Sequence, residues 1–315
     1  VPKTAAKPLK PWFLRLHRWI TLVFALPLAA VILTGVVLSL EPSATLVGTK
    51  PGTLTAEKLK GWLEEHDEAG QARSLTHRAF AGTLTIGMPD DEDDVILDTA
   101  TGEERLAEAM STDIFRTAKR LHETLLLDLG WLVTATTFAM LALIALGVLM
   151  GWPRLANSVS GWHKGLGWFG LPLLILSPLT GLALAFGISF TAPPTERPAA
   201  APTIAQGVEI IARTHDLSAL LSLRKRGPRL IARLIEKGEY RNYAVSAEGL
   251  TPMSRNWPKL LHEGNWAGHL SALLNLVTAL AMAGLFVTGL VIWVRRTFLR
   301  RRNRDRARAP ELQAV

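Results

Sequence analysis

Residues 16–40 read LHRWITLVFALPLAAVILTGVVLSL: a histidine, an arginine and a tryptophan, then an apolar run from 20 to 40 without a single Asp, Glu, Lys or Arg. At about 1.5 Å per residue, a run of that length crosses the roughly 30 Å of a bilayer's hydrocarbon as one helix. Three further runs, 129–151, 165–190 and 270–294, are equally free of charge. A buried helix of a soluble domain usually offers only about 10–14 apolar residues in a row, so spanning helices are the reading. The first run is also too long for the apolar part of a cleaved signal peptide, and no A-x-A-like site follows it. The expectation is an all-α integral membrane fold of four transmembrane helices, with small α+β modules outside.

Charge orients the helices. The net charge of +8 is concentrated in Lys3, Lys7, Lys10, Arg15 and Arg18 before the first run, Arg154 and Lys164 between the second and third, and the arginines of 295–308 after the last. No acidic residue precedes Glu41 or falls between Leu129 and Thr195. Such positive segments stay cytoplasmic, which predicts a multi-pass membrane protein with both termini inside. The basic tail suits anionic membrane lipid rather than nucleic acid. The expected segments are 1–41 (N-terminus and first span), 42–120 (outside module), 121–152 (second span), 153–164 (inside loop), 165–190 (third span), 191–261 (second outside module), 262–295 (fourth span) and 296–315 (inside tail). With no cysteine, the chain has no disulfide framework, no iron–sulfur ligand set and no thiol chemistry.

The first and third runs superimpose. His17-Arg18-Trp19 leads to Leu33-Thr34-Gly35, and His163-Lys164-Gly165 leads to Leu179-Thr180-Gly181, with the threonine 17 residues after the histidine in both. Pro27 and Pro172, ten and nine residues after those histidines, are placed to bend their helices. The second and fourth runs are announced by Leu121-His122-Glu123 and Leu261-His262-Glu263, and end at Trp152 before Arg154 and Trp293 before Arg295. A helix, an outside segment and a returning helix have been used twice in one orientation, which predicts a pseudo-two-fold axis along the membrane normal. The axis sets His17 opposite His163 at the inner face and His122 opposite His262 at the outer face.

A single histidine at a membrane helix end is most often an anchor; other uses are proton relay and metal or haem ligation. Matched pairs change the balance, because two imidazoles facing across an axis take both axial positions of a haem iron. Arg15, Arg18 and Lys164 near the inner pair, and Lys119, Arg120 and Lys259 near the outer, are placed either to meet haem propionates or to serve as ordinary interfacial charges. A bare zinc or iron site would want further ligands, and the inner pair has no acidic neighbour. His269, seven residues beyond His262 and about 10 Å further along a continuous helix, is the alternative outer ligand. The Leu-His-Glu repeat selects His262. No dinucleotide or flavin fingerprint is present, so the electron donor is a quinol or a separate cytoplasmic reductase.

The outside modules have local patterns of their own. Residues 55–66 read as an amphipathic helix and 204–214 and 229–237 as helices, while 83–88, 94–99 and 243–247 read as strands. The acidic 89–93 stretch reads as a turn and 193–202 as a linker. His66, His77 and His215 have no matched partner and read as surface residues.

Leu16-His17-Arg18-Trp19, the Leu-Thr-Gly turns, Leu121-His122, Trp162-His163-Lys164, Leu261-His262-Glu263-Gly264 and the segment 95–102 together resemble the PepSY-associated transmembrane family of iron-regulated inner-membrane proteins, over essentially the whole chain. Within it the chain looks most like the two-haem ferrisiderophore reductases, those acting on ferrioxamine included. The resemblance implies a ferric-siderophore reductase. Two b-type haems would carry electrons across the membrane, one held by His17 and His163 and the other by His122 and His262. Fe(III) would be reduced in the periplasm and released as Fe(II), which hard oxygen donors hold less tightly. Two other readings are open: a quinol-linked cytochrome b with a different acceptor, and a non-enzymatic peptide-binding or regulatory membrane protein.

Overall fold

The computed structural model describes residues 10–89, 94–105, 114–153, 155–191 and 201–312, with side chains as far as 298. The expected acidic turn over 89–93, the linker over 193–202, and the charges of Lys3, Lys7 and Arg154 therefore fall wholly or largely outside the described residues. In chain order come α1 (Lys10–Val23), α2 (Ala25–Leu38), α3 (Glu41–Gly48), α4 (Ala56–His66), β1 (Ser74–Arg78), β2 (Thr83–Gly87) and β3 (Val95–Asp98). Next are α5 (Ile114–Thr124), α6 (Gly130–Leu149), α7 (Val159–Phe169), α8 (Leu171–Ala185) and α9 (Ile204–Ala212). The strands β4 (Leu220–Arg226), β5 (Arg229–Glu236), β6 (Glu239–Ser246) and β7 (Gly249–Pro252) follow, and α10 (Trp257–Glu263) and α11 (Gly268–Leu312) close the chain.

The elements fall into two compact units. The helical unit holds residues up to 36, 119–186 and 276 onward. In it α1 and α8 pack on α6, and large apolar side chains such as Leu26, Leu33, Phe169 and Val287 stay exposed, as lipid-facing positions do. Trp19, Trp131, Trp152 and Trp162 are exposed near helix ends, where indoles favour the membrane interface.

The expectation of an all-α fold with four transmembrane helices is overturned. Among the described residues three helices are long and apolar enough to cross a membrane, at Ala25–Gly48, Gly130–Leu149 and Gly268–Phe298, and a fourth span results only if a bent pair of helices is counted as one. The stretch expected as the third span is instead two helices, α7 and α8, bent by 66° at Gly170. Pro172 supplies the reason: it has no N–H to donate and its ring clashes with the carbonyl four residues back, so α7 cannot run on. Pro27 acts likewise, and α1 gives way to α2 at Phe24.

The second correction is a seven-stranded antiparallel sheet, order β3-β2-β1-β4-β5-β6-β7, in the unit of residues 37–118 and 187–275. β1 pairs with β4, Leu75 opposite Leu223, so both long connections contribute to one sheet. Helices α4 and α9 cover one face, where Leu59, Leu63, Val208 and Ile211 meet Leu75, Leu84, Leu223, Leu230 and Leu234. Thr55 caps α4, and Thr203 with Gln206 forms a capping box on α9, which explains why both helices begin where the sequence predicts.

Of residues 229–237, expected as a helix, Arg229–Glu236 form strand β5. Leu230, Ala232 and Leu234 are buried at every second position, the period of a strand. Two-residue turns at 227–228 and 237–238 bracket the segment. In the second of these, Lys237 and Gly238 have φ of 52° and 81°, the doubly positive pattern whose twist matches an antiparallel hairpin.

His77, expected at the surface, is 6 % exposed, and its Nδ1 donates to the Leu220 carbonyl at 3.1 Å. Burial lowers its pKa below the ordinary 6.5, against the weaker opposing effect of that hydrogen bond. Below pH 6.5 the unfolded chain therefore binds more protons than the folded one, so stability falls as pH falls. Thermal unfolding of the purified protein followed from pH 7.5 to 5.5 is expected to show a declining midpoint, and His77→Gln is expected to flatten that decline. An unchanged slope in the variant removes His77 as its source.

Candidate functional site

Two of the four histidines singled out by the repeat meet in the helical unit. His17 on α1 and His163 on α7 are half-buried, with ring centroids 6.4 Å apart and planes at 88°. A metal bonded to one nitrogen of each ring at about 2 Å sits between rings whose centroids are roughly 6 Å apart, so the spacing fits a shared axial pair. Among the described residues no group of three or more His, Cys, Asp or Glu is assembled to hold a bare metal ion. A macrocycle that brings its own four nitrogens needs only the two imidazoles.

The tautomers follow from the threonines. Thr288 Oγ1 donates to the Gly284 carbonyl at 2.6 Å, so its oxygen accepts from His163 Nδ1 at 2.9 Å. His122, near the end of α5, is held the same way: Nδ1 donates to the Val31 carbonyl at 3.1 Å and to Thr34 Oγ1 at 3.0 Å, while Thr34 donates to the Ala30 carbonyl. A proton fixed on Nδ1 puts the lone pair of each ring on Nε2, the arrangement that orients histidines toward a metal. Each threonine is followed by a glycine. A Cβ on Gly35 would lie 3.6 Å from His122 Cε1, and one on Gly289 would lie 3.4 Å from His163 Cε1. The Thr-Gly pair thus serves one ring twice, by an acceptor and by room for the imidazole.

Sequence reasoning named Thr34-Gly35 as a repeat marker and Gly289 as a small residue that allows close approach, and missed Thr288. The signal was the same dipeptide inside a fourth apolar run. His17 departs from the pattern: its Nδ1 is buried with no hydrogen-bond partner among the described residues. Its ring approaches the backbone of Leu143, as that of His163 approaches Leu285. Four residues beyond each lies a glycine, Gly147 and Gly289, so Leu146 stands where the other half has Thr288.

His262 and His269 belong to the sheet unit. They do not share one helix as expected. Gly264, with φ 68° and ψ 37°, ends α10 after His262 and Glu263, and His269 is the second residue of α11, exposed. Glu263 accepts from Arg233 Nη2 at 2.7 Å and from Asn265 Nδ2 at 2.8 Å, with Lys259 Nζ at 3.7 Å. Burial alone would raise its pKa, but those cations and hydrogen bonds prevail and hold it down to about 2. The carboxylate next to His262 is therefore ionised and committed to the corner. Of the cations expected near the histidines, Arg15, Lys164 and Arg120 are exposed and Arg18 is half-buried.

The sequence profile of the PepSY-associated TM region matches residues 14–296, a stretch that holds all eight histidines of the chain. No curated protein sequence matches the chain.

Proposed function

The chain belongs to the family of PepSY-associated transmembrane proteins, and from that premise we propose that it is a haem-dependent reductase of a bacterial inner membrane, delivering electrons to a ferric siderophore in the periplasm. The observation that carries the reading is the His17–His163 pair within the apolar helices, with His163 fixed by Thr288. Bound b-type haems would supply one-electron relay. His17 and His163 hold one of them. His122, oriented by Thr34 and Val31, is a ligand to the other, and the sequence repeat names His262, with His269 as the alternative, for its second position. Each electron delivered converts one Fe(III) to Fe(II), which oxygen donors release more readily. A quinol or a cytoplasmic reductase supplies the electrons, and both chain ends are assigned to the cytoplasm.

The direct test is the absorption spectrum of the chain purified in mild detergent, with haem quantified per chain. About two haems with a Soret band are expected, followed by reoxidation of the dithionite-reduced protein on anaerobic addition of a ferric siderophore. A preparation from haem-replete cells with no Soret band sinks the proposal.

Thr288→Val keeps the side-chain shape and removes the acceptor for His163 Nδ1. Loss of such an orienting partner typically costs about 10-fold to 100-fold in affinity, and haem transfer to an acceptor globin is expected to speed up accordingly. An unchanged transfer rate would mean that Thr288 does not position the ligand.

A further inference from the structure

The sheet face opposite α4 and α9 is strongly basic. Strand alternation puts Arg78 of β1, Arg224 and Arg226 of β4, and Arg229 and Arg233 of β5 on that face, because Leu75, Leu223, Leu230 and Leu234 occupy the other. Arg226 lies directly opposite Arg229, while Arg224 lies opposite Ile231 and Arg233 opposite Ser222. Facing like charges destabilise a strand pair. Arg224 donates to Thr76 Oγ1 at 3.4 Å, and the leading charges that act on it among the described residues are Arg226, Arg233 and Arg78, all of its own sign. Burial, and then those neighbours, push its pKa below the ordinary arginine value. The cluster reaches the histidine corner, since Arg233 is the residue that grips Glu263, next in sequence to His262.

Guanidinium forks beside strand hydroxyls suit a compact, oxygen-rich polyanion. The arginines occupy β1, β4 and β5, the three central strands, while a peptide that recognises a sheet by adding a strand uses an edge, here β3 or β7. We propose that this arginine face is the docking site for an anionic ferric chelate, of the tricatecholate or hydroxycarboxylate class, in preference to a cationic hydroxamate complex such as ferrioxamine B. The inference rests on the reductase reading for its iron. It takes its charge preference from the sheet alone.

Gallium(III) chelates copy the size and charge of ferric ones and accept no electron, so they separate binding from reduction. Calorimetry on the full chain in detergent, its haem content measured beforehand, is to compare the trianionic gallium complex of enterobactin with the monocationic complex of desferrioxamine B. The trianion is expected to bind at least about tenfold more tightly. The double variant Arg224→Glu/Arg226→Glu is expected to lose at least about tenfold for the trianion while keeping its haem spectrum, and Arg224→Gln to lose several-fold. Equal binding of the two complexes, or an affinity indifferent to both variants, overturns the docking site and leaves the reductase reading standing. Displacement of the trianion by a glutamate-rich peptide of equal charge assigns the face to acidic peptides and overturns it too. Selective binding by a chain that takes up no haem supports the docking site and refutes the reductase.

Discussion

Replacing His163 with alanine is expected to lower the haem content of the purified chain from about two to about one and to remove one of two low-spin ferric signals. His163 is the better-anchored member of its pair. Thr288 fixes its proton, Gly289 gives its ring room, and His17 is the neighbouring imidazole at 6.4 Å. Without it, His17 would be left as a single ligand, its Nδ1 with no hydrogen-bond partner among the described residues. One imidazole alone holds iron less tightly and leaves a coordination position open, so the remaining haem signal at this site becomes high-spin or disappears. His122 keeps its own bonds to Thr34 and Val31, and its signal should persist. Two undiminished low-spin signals in His163→Ala, read by electron paramagnetic resonance beside haem quantification, would falsify the assignment. His17→Ala is expected to act in the same direction.

What the sequence disclosed follows from which forces act locally. Hydrocarbon imposes long uncharged runs whatever the tertiary packing, so residues 130–149 were legible as a span, and the backbone restriction of Pro172 made the bend legible too. The sheet was not. In Arg229–Glu236 the apolar pairs Leu230-Ile231 and Leu234-Ile235 recur at a spacing of four, which fits a helix stripe as well as a strand. What decides between them is the pair of tight turns on either side and the partners β4 and β6, which are tertiary facts. β1, with Ser74, Thr76 and Arg78 on one side, becomes a strand because β2 and β4 flank it. The same limit applies to the site. His163 was found because a repeat marks it, whereas Thr288 acquires its meaning only when the fold brings the histidine just ahead of the third run against a threonine of the fourth. His77 was misread for the converse reason: one histidine in a polar pentapeptide carries no mark of the core that closes over it.

Gly264→Val is expected to be the most disruptive single change in the sheet unit outside its core. The residue stops α10 in the left-handed region, at φ 68°, where a β-branched side chain costs roughly 1–2 kcal/mol through the backbone alone. Space adds to this. A Cβ would lie 2.6 Å from Asn275 Cβ and 3.0 Å from the Ser271 carbonyl, and overpacking of that kind typically costs a further 1–3 kcal/mol. The corner has no room to relax, because it is pinned on several sides. Ser271 Oγ donates to the Gly264 carbonyl at 2.9 Å and accepts from the Ala267 N–H at 3.0 Å, while the Asn265 carbonyl accepts from the Tyr240 N–H at the start of β6. The variant should therefore unfold at a lower temperature. It should also disturb the orientation of His262, two residues before the glycine, while leaving the His17–His163 signal intact. Gly264→Asn separates the two causes: asparagine tolerates the left-handed backbone, so it recovers the dihedral part and retains the steric part. A melting temperature for Gly264→Val equal to that of the parent would show that the turn yields freely, and that the glycine does not fix the angle between the His262 helix and α11.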